Sequence, residues 1–186
     1  MVAGGHGGMD VTVDTRAGLV QRAEILRATE PNFARFLLAT ANATDADDLN
    51  LYAPDVVEAM LRKTYTRLGK REGRSHVVHH FAPEPPIQAE RFEIFSADMP
   101  FIVDSTLAAI RSKGGSIRFI AHPVLNLDPE SYRVLDDKAP VTVKESLLII
   151  HLAPITDPQM RAAIIAEIEG TLVEVFRATR AWRPML

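Results

Sequence analysis

Hydrophobic residues recur at helical spacing through the first third of the chain. Leu19, Ala23 and Leu26 stand four and three residues apart, which predicts an amphipathic helix over residues 15–28. Two further apolar faces follow, each just after a proline, and proline suits the first turn of a helix. The acidic stretch between these two faces predicts a loop at residues 42–50. The pattern therefore predicts a helical segment at residues 15–72, preceded by a flexible arm at residues 1–14.

The period of the pattern then changes to that of β-strands. Valine, isoleucine, leucine and aromatic residues alternate or cluster in four stretches, at residues 75–81, 91–95, 117–127 and 146–152. The most apolar stretch is 146–152, which suits a central strand. Pro123 lies within 117–127, and because proline cannot donate to a β-ladder it predicts an edge strand or a bulge.

Two helices are predicted between and after these strands. Asp98 is expected to cap the first, with Pro100 in its first turn and Phe101 among its buried positions. Gly114 and Gly115 are expected to end it. The second helix follows Pro158 and carries an apolar stripe to the end of the chain.

The resulting order is strand, strand, helix, strand, strand, helix, which predicts an α+β fold of the ferredoxin-like kind in permuted form. We expect a four-stranded antiparallel sheet with two helices on one face, as a domain over residues 75–186. Its strands are predicted in the order 75–81, 91–95, 146–152, 117–127. The other face of the sheet needs cover, either from the N-terminal helices or from a second copy of the domain.

Composition restricts the class of protein. The chain has 186 residues, of which 47% are hydrophobic and 24% charged, as in ordinary globular proteins. It has no stretch of about eighteen apolar residues and no secretory signal, so we expect a cytoplasmic protein without a membrane partner. The absence of cysteine fits a reducing compartment, and the net charge of −3 disfavours a nucleic-acid partner.

Known catalytic and cofactor motifs are missing from the sequence. There is no phosphate-binding loop, nucleophile elbow or HExxH motif, and the N-terminal glycines precede any strand, so they make no dinucleotide fingerprint. His76 and His80 share a strand face but lie about 13 Å apart, too far to hold one metal ion. We therefore expect no catalytic, cofactor or metal site in this chain. The basic residues are interpreted as a solvated helix face: Arg62, Lys63, Arg67, Lys70, Arg71 and Arg74.

The most distinctive stretch is residues 96–105, where a predicted strand leads into a helix N-terminus. Free backbone N–H groups and the helix dipole favour an anion there. The alternative interpretation is a helix cap with ordinary core packing. The candidate ligand-binding residues are Asp98, Met99, Pro100, Phe101, Asp104, Ser105, His122 and Glu145.

Four strings in this order resemble a known family: ADMPFIVDS at 97–105, HPV at 122–124, KES at 144–146 and AWRPM at 181–185. They are similar to the N-terminal region of the large bacterial NAD-specific glutamate dehydrogenases. The first string is fairly specific, and the shorter ones count only together. The chain departs from the family pattern with Ile102 in place of leucine and Ala181 in place of aspartate.

The resemblance implies an ACT-like domain from a much longer enzyme that oxidatively deaminates L-glutamate to 2-oxoglutarate while reducing NAD. NAD and the catalytic residues would lie in other domains of that enzyme. Those domains, and further copies in a homo-oligomer, would be the partners of this fragment, which by itself would not be an enzyme.

Two interpretations of the role stay open. The first is a regulatory and assembly module that senses an amino acid, whose ammonium would meet Asp98 or Asp104, and that pairs through a bare sheet face. The second is a purely structural inter-domain or oligomerisation scaffold without a small ligand. A self-standing enzyme or RNA-binding domain is disfavoured, since strand 146–152 has no aromatic residue on which a base could stack.

Overall fold

The computed structural model describes residues 14–69, 71–136 and 138–182. The predicted arm lies outside these ranges apart from Asp14, whose carboxylate accepts a hydrogen bond from the backbone N–H of Ala17 at 3.0 Å and so caps the first helix. Lys70 of the basic cluster and residues 183–185 of the last family string also lie outside the described residues.

The described chain contains six helices and five strands. In chain order they are α1 (Thr15–Leu26), α2 (Pro31–Asn42), α3 (Ala46–Leu49), α4 (Pro54–Tyr65), β1 (His76–Phe81), β2 (Glu90–Ala97), α5 (Ile102–Ser112), β3 (Ile117–Ala121), β4 (Val124–Leu127), β5 (Val143–Leu152) and α6 (Pro158–Trp182). The short helix α3 corrects the predicted loop at residues 42–50. Asp45 makes this turn possible, because its side chain accepts a hydrogen bond from the backbone N–H of Asp47 at 2.8 Å.

The strands form one antiparallel sheet in the predicted order, β1-β2-β5 followed by β3 and β4, which both pair with β5. The sheet has five strands where four were expected, because the predicted strand 117–127 divides at His122 and Pro123. Pro123 has no N–H to donate, but its carbonyl accepts a hydrogen bond from the N–H of Leu147 at 3.0 Å. The expected irregularity at this proline is thus confirmed.

Helices cover both faces of the sheet. Helices α5 and α6 pack on the face that carries Phe92, Ile94 and Ile150, as predicted. Helices α1 to α4 pack on the opposite face, against residues that include Phe95 and Ile149. The N-terminal helices therefore supply the cover that the second face needs, and the hypothesis of pairing through a bare sheet face is wrong.

Helix α5 begins later than the sequence predicts. Its N-cap residue is Phe101, in the left-handed conformation with φ of 67°, so Asp98 and Pro100 precede the helix. The predictions that Asp98 caps α5 and that Pro100 lies in its first turn are wrong. Ile102 occupies the buried position, whereas Phe101 is 59% exposed and not part of the core.

Three glutamates are fully buried on the two central strands, and each is paired with an arginine. Arg67 Nε lies 2.8 Å from a Glu93 oxygen, Arg71 Nε lies 2.7 Å from one of Glu145, and Arg161 Nε lies 3.0 Å from one of Glu90. Arg67 and Arg71 follow α4 and Arg161 belongs to α6, so these pairs fasten both helical layers to the sheet. The interpretation of the basic cluster as a solvated face is therefore wrong for Arg67 and Arg71.

Arg71→Met is expected to destabilise the fold by roughly 3 kcal/mol, because Glu145 would be left as an unpaired buried charge. Since burial raises the pKa of Glu145, the unpaired carboxyl should take up a proton in acid, and the loss should be larger at pH 8 than at pH 5. Chemical denaturation at both pH values measures this.

The double variant Arg71→Met/Glu145→Met should recover most of the lost stability, since neither charge then needs a partner. Lys113→Met is the matched control, because Lys113 pairs with Glu167 at 3.0 Å on an exposed surface. An equal loss in the control and in Arg71→Met would contradict the importance of the buried pair.

The burial of His151 makes the stability of the fold depend on pH. Its ring is fully buried, stacks on Phe119 at 4.4 Å and meets the Tyr52 hydroxyl at 2.8 Å through Nδ1. Burial, together with the nearby charge of Arg91, lowers the pKa of His151 from 6.5 to about 3. Between these values the unfolded chain binds a proton that the folded chain does not, so the free energy of unfolding should fall as the pH falls.

His151 alone should make the free energy of unfolding change by up to about 1.4 kcal/mol per pH unit. It is measured as the difference between the unfolding free energies of the parent chain and His151→Gln across pH 4 to 7. His79→Gln, on the half-buried edge strand β1, serves as the control. A constant difference across this range would show that His151 is not buried as described.

Candidate functional site

A row of polar side chains crosses one end of the sheet beneath α5 and α6. Ser96 on β2 is paired in register with His76 on β1 and with Ser146 on β5. Side chains that are paired in this way point to the same face of a sheet. His122 joins this row from the break between β3 and β4. We call His76, Ser96, Ser146 and His122 the polar row.

Three members of the polar row have partners and one does not. Ser146 Oγ lies 2.7 Å from His122 Nε2, and His76 Nε2 lies 2.8 Å from the Glu169 carboxylate on α6. Ser96 is fully buried, and its hydroxyl has no hydrogen-bond partner among the described residues. Buried hydroxyl groups are normally satisfied, so Ser96 marks a place where a polar atom of a ligand or of water would be stabilised.

The N-terminus of α5 lies just after this end of β2. No side chain among the described residues caps the helix, and the first helical bond runs from the N–H of Ser105 to the carbonyl of Phe101 at 3.0 Å. The N–H groups of the preceding first-turn residues therefore stay available for an acceptor. The helix dipole adds to their attraction for a negative group.

A negative and a partial positive charge lie close together at the junction between β2 and α5. Burial lowers the pKa of His122, and the carboxylate of Asp98 acts in the opposite direction. His122 is therefore neutral at pH 7 and offers a hydrogen-bonding group without a charge. Asp98 is exposed and supplies the negative charge, while the N-terminus of α5 supplies a partial positive one.

The structure brings most of the predicted site residues together. Asp98 and His122 interact electrostatically, while Met99, Pro100 and Phe101 form the turn from β2 into α5. Asp104 and Ser105 lie in the first turn of α5, where Asp104 is exposed and Ser105 is half-buried. Met99 is buried, and its sulfur accepts a hydrogen bond from the Thr179 hydroxyl on α6 at 3.5 Å.

Glu145 is placed apart from the other candidates. Its side chain points to the opposite face of the sheet, where both carboxylate oxygens meet Arg71. Ser96 and Ser146 take part in the site but were not among the candidates. The alternation of β2 could have identified Ser96. It places Ser96 on the same face as Phe92 and Ile94, so that a hydroxyl group is expected at a buried position.

The described part of the chain holds neither a metal cluster nor a membrane-spanning helix. Residues 14–69, 71–136 and 138–182 include no group of three or more histidine, aspartate or glutamate side chains that could hold a metal ion. No helix within the same ranges is long and apolar enough to cross a membrane.

Comparison with known families identifies the chain. Residues 36–168 match the family model described as the glutamate dehydrogenase ACT1 domain. The chain belongs to this family. The match begins within α2 and ends within α6, so the family unit includes helices on both faces of the sheet. Neither the comparison with curated proteins nor the comparison with solved structures gave a match.

Asp98→Asn is expected to lower the pKa of His122 further, because it removes the negative charge of Asp98, which favours the imidazolium. NMR titration of the His122 ring measures the pKa. Asp104→Asn, one turn into α5, is the matched control and should leave it unchanged. An unchanged pKa of His122 in Asp98→Asn would mean that the two groups do not face each other.

Proposed function

We propose that this ACT1 domain is a non-catalytic regulatory module of an NAD-dependent glutamate dehydrogenase and that it senses a free amino acid at the β2–α5 turn. The observation that carries the proposal is the hydroxyl of Ser96, which is buried on the α5 side of the sheet. Within residues 14–69, 71–136 and 138–182 it has no hydrogen-bond partner, and no side chain there caps the N-terminus of α5 at the same end of the sheet. Two groups that need an acceptor thus occur at one end of the sheet.

An α-amino acid has the complementary charges for this junction. Its carboxylate would accept hydrogen bonds from the first-turn N–H groups of α5 and from the Ser96 hydroxyl. Its ammonium group would pair with Asp98. Neutral His122 would not repel the ammonium, and its contact with Ser146 orients that hydroxyl.

The reaction itself would take place elsewhere in the parent enzyme. NAD does not fit the described residues, because the strands are antiparallel and no glycine-rich turn joins a strand to a helix N-terminus. The partners of this module would therefore be the other domains of the same cytoplasmic enzyme and, in a homo-oligomer, further copies of it. Its contribution would be to couple amino-acid binding to the activity of those domains.

The alternative is a structural scaffold without a small ligand. It is favoured by the three buried glutamate–arginine pairs, which hold helices on both faces of one rigid sheet. Under this alternative the exposed ring of Phe101 would simply pack against a neighbouring domain.

Thermal unfolding of the chain with each common amino acid at millimolar concentration tests the proposal. A ligand that binds only the folded state, at a hundredfold excess over its dissociation constant, stabilises it by about 2.7 kcal/mol. Ser96→Ala should reduce the affinity by up to about tenfold, the value of one hydrogen bond, without lowering the midpoint of the free chain. Asp98→Asn should also weaken binding.

Asp55→Asn is the matched control, because Asp55 is likewise an exposed acid at the start of a helix. NAD should leave the midpoint unchanged. If no amino acid shifts it, or if the shifts persist in Ser96→Ala and Asp98→Asn, sensing at the β2–α5 turn is wrong and the scaffold alternative is preferred.

A further inference from the structure

A second group of buried polar atoms lies on the opposite face of the sheet, around Arg91 of β2. Arg91 is 8% exposed, and its Nε has no hydrogen-bond partner among the described residues. The closest carboxylate oxygen belongs to Glu93, at 3.5 Å, which is an ion-pair distance but not a hydrogen bond. A buried N–H group without an acceptor, such as this Nε–H of Arg91, needs a physical explanation.

Glu93 cannot satisfy Arg91 because other groups already use it. Arg67 donates to both carboxylate oxygens at 2.8 Å, and the Thr64 hydroxyl donates to one of them at 2.8 Å. Both guanidinium groups also lie against the ring of Phe81, at 4.6 Å for Arg67 and 4.4 Å for Arg91. The cluster therefore holds two cations and one anion, which leaves one positive charge without a matched partner.

The pair at the surface above Arg91 does not remove this surplus. Lys63 on α4 and Glu84 lie 3.5 Å apart, and their side chains are 64% and 69% exposed. Their charges cancel each other. Glu84 also acts on Arg91 electrostatically, but it does so from the solvent-exposed side. The surplus charge is thus located at the guanidinium of Arg91.

A small pocket lies between Arg91 and this surface pair. It occupies about 50 Å³, and its polar lining consists of Arg91, Lys63 and Glu84. Its walls are otherwise apolar and come from one face of α4 and from the turn at residues 84–87, with Met60 and Ile87 buried among them. The volume suits a group of a few heavy atoms, since one water needs roughly 10–15 Å³.

From these contacts we infer that the pocket between α4 and the 84–87 turn binds a short aliphatic carboxylate. Its two oxygens would accept hydrogen bonds from the Arg91 guanidinium, whose planar donor group matches a carboxylate. Its hydrocarbon part would contact the apolar walls, and Lys63 would add attraction at the mouth. Glu84 also lines the pocket, and its carboxylate would oppose binding.

The inference is independent of the amino-acid site at the β2–α5 turn. That site lies at the end of the sheet where α5 begins, on the α5 and α6 face, whereas Arg91 belongs to the face covered by α1 to α4. A probe without an ammonium group therefore separates the two. Asp98→Asn should leave carboxylate binding at Arg91 unchanged.

Propionate is the probe, titrated into the full chain with sodium chloride reduced in step to hold the ionic strength constant. We expect a saturable rise in the unfolding midpoint and a saturable shift of the Arg91 side-chain N–H signals in NMR, with a millimolar dissociation constant. Propionamide, which has the same shape without the charge, should give neither response. Acetate should bind more weakly than propionate, because it makes less contact with the apolar walls.

Two exposed substitutions change the charge without disturbing the core. Lys63→Met should weaken propionate binding and Glu84→Gln should strengthen it, each by up to about fivefold, the range for partly exposed charges. Lys113→Met, which breaks an exposed pair between the end of α5 and Glu167 of α6, should have no effect. Opposite effects of these two substitutions on the affinity for propionate are expected only if an anion binds next to Arg91.

Three results would overturn the assignment: no saturable response to propionate, an equal response to propionamide, or affinities that neither Lys63→Met nor Glu84→Gln changes. Phosphate binding as tightly as propionate would also overturn it, because a general anion site would not select a carboxylate. None of these results depends on whether an amino acid binds at the β2–α5 turn.

Discussion

Burial of carboxylates on the two central strands is the constraint on which the rest of this fold depends. Glu90, Glu93 and Glu145 are almost completely removed from water. Each such charge costs several kcal/mol unless a cation and further hydrogen bonds are held in good geometry around it. The arginines that meet this requirement come from α6 and from the segment after α4, so the fold reaches low free energy only when both helical layers are docked.

The same constraint explains why two places remain unsatisfied. Arg67 and Thr64 use the hydrogen-bonding capacity of Glu93, and the neighbouring Arg91 is left with a cation–π contact instead of a hydrogen bond. At the other end of β2 the polar row pairs its outer members, and Ser96 in the middle has no partner in the part of the chain that the structure describes. Both places are therefore consequences of how the surrounding polar groups are paired, and both offer donors to an acceptor from outside.

Local sequence patterns predicted much of the fold because the hydrophobic positions of strands and helices repeat every few residues. The apolar run at residues 146–152 identified the central strand, and the order of the sheet followed from it. The buried pairs could not be predicted in this way. Arg71 and Glu145 are 74 residues apart, and in the alternation of β2 the residues Arg91 and Glu93 look like a solvated face. Only the docking of α1 to α4 makes that face an interior.

The start of α5 shows the limit of local rules at the candidate site itself. Asp98 followed by Pro100 matches a common helix start, yet the chain makes one more turn and places Phe101 in the left-handed region. This conformation costs a residue with a β-carbon roughly 1–2 kcal/mol, and the ring of Phe101 stays mostly exposed among the described residues. The uncapped helix end and the exposed ring are produced by the same backbone turn. A ligand that binds this turn more tightly in one conformation than in another would therefore also bias the surface that Phe101 presents to a neighbouring domain.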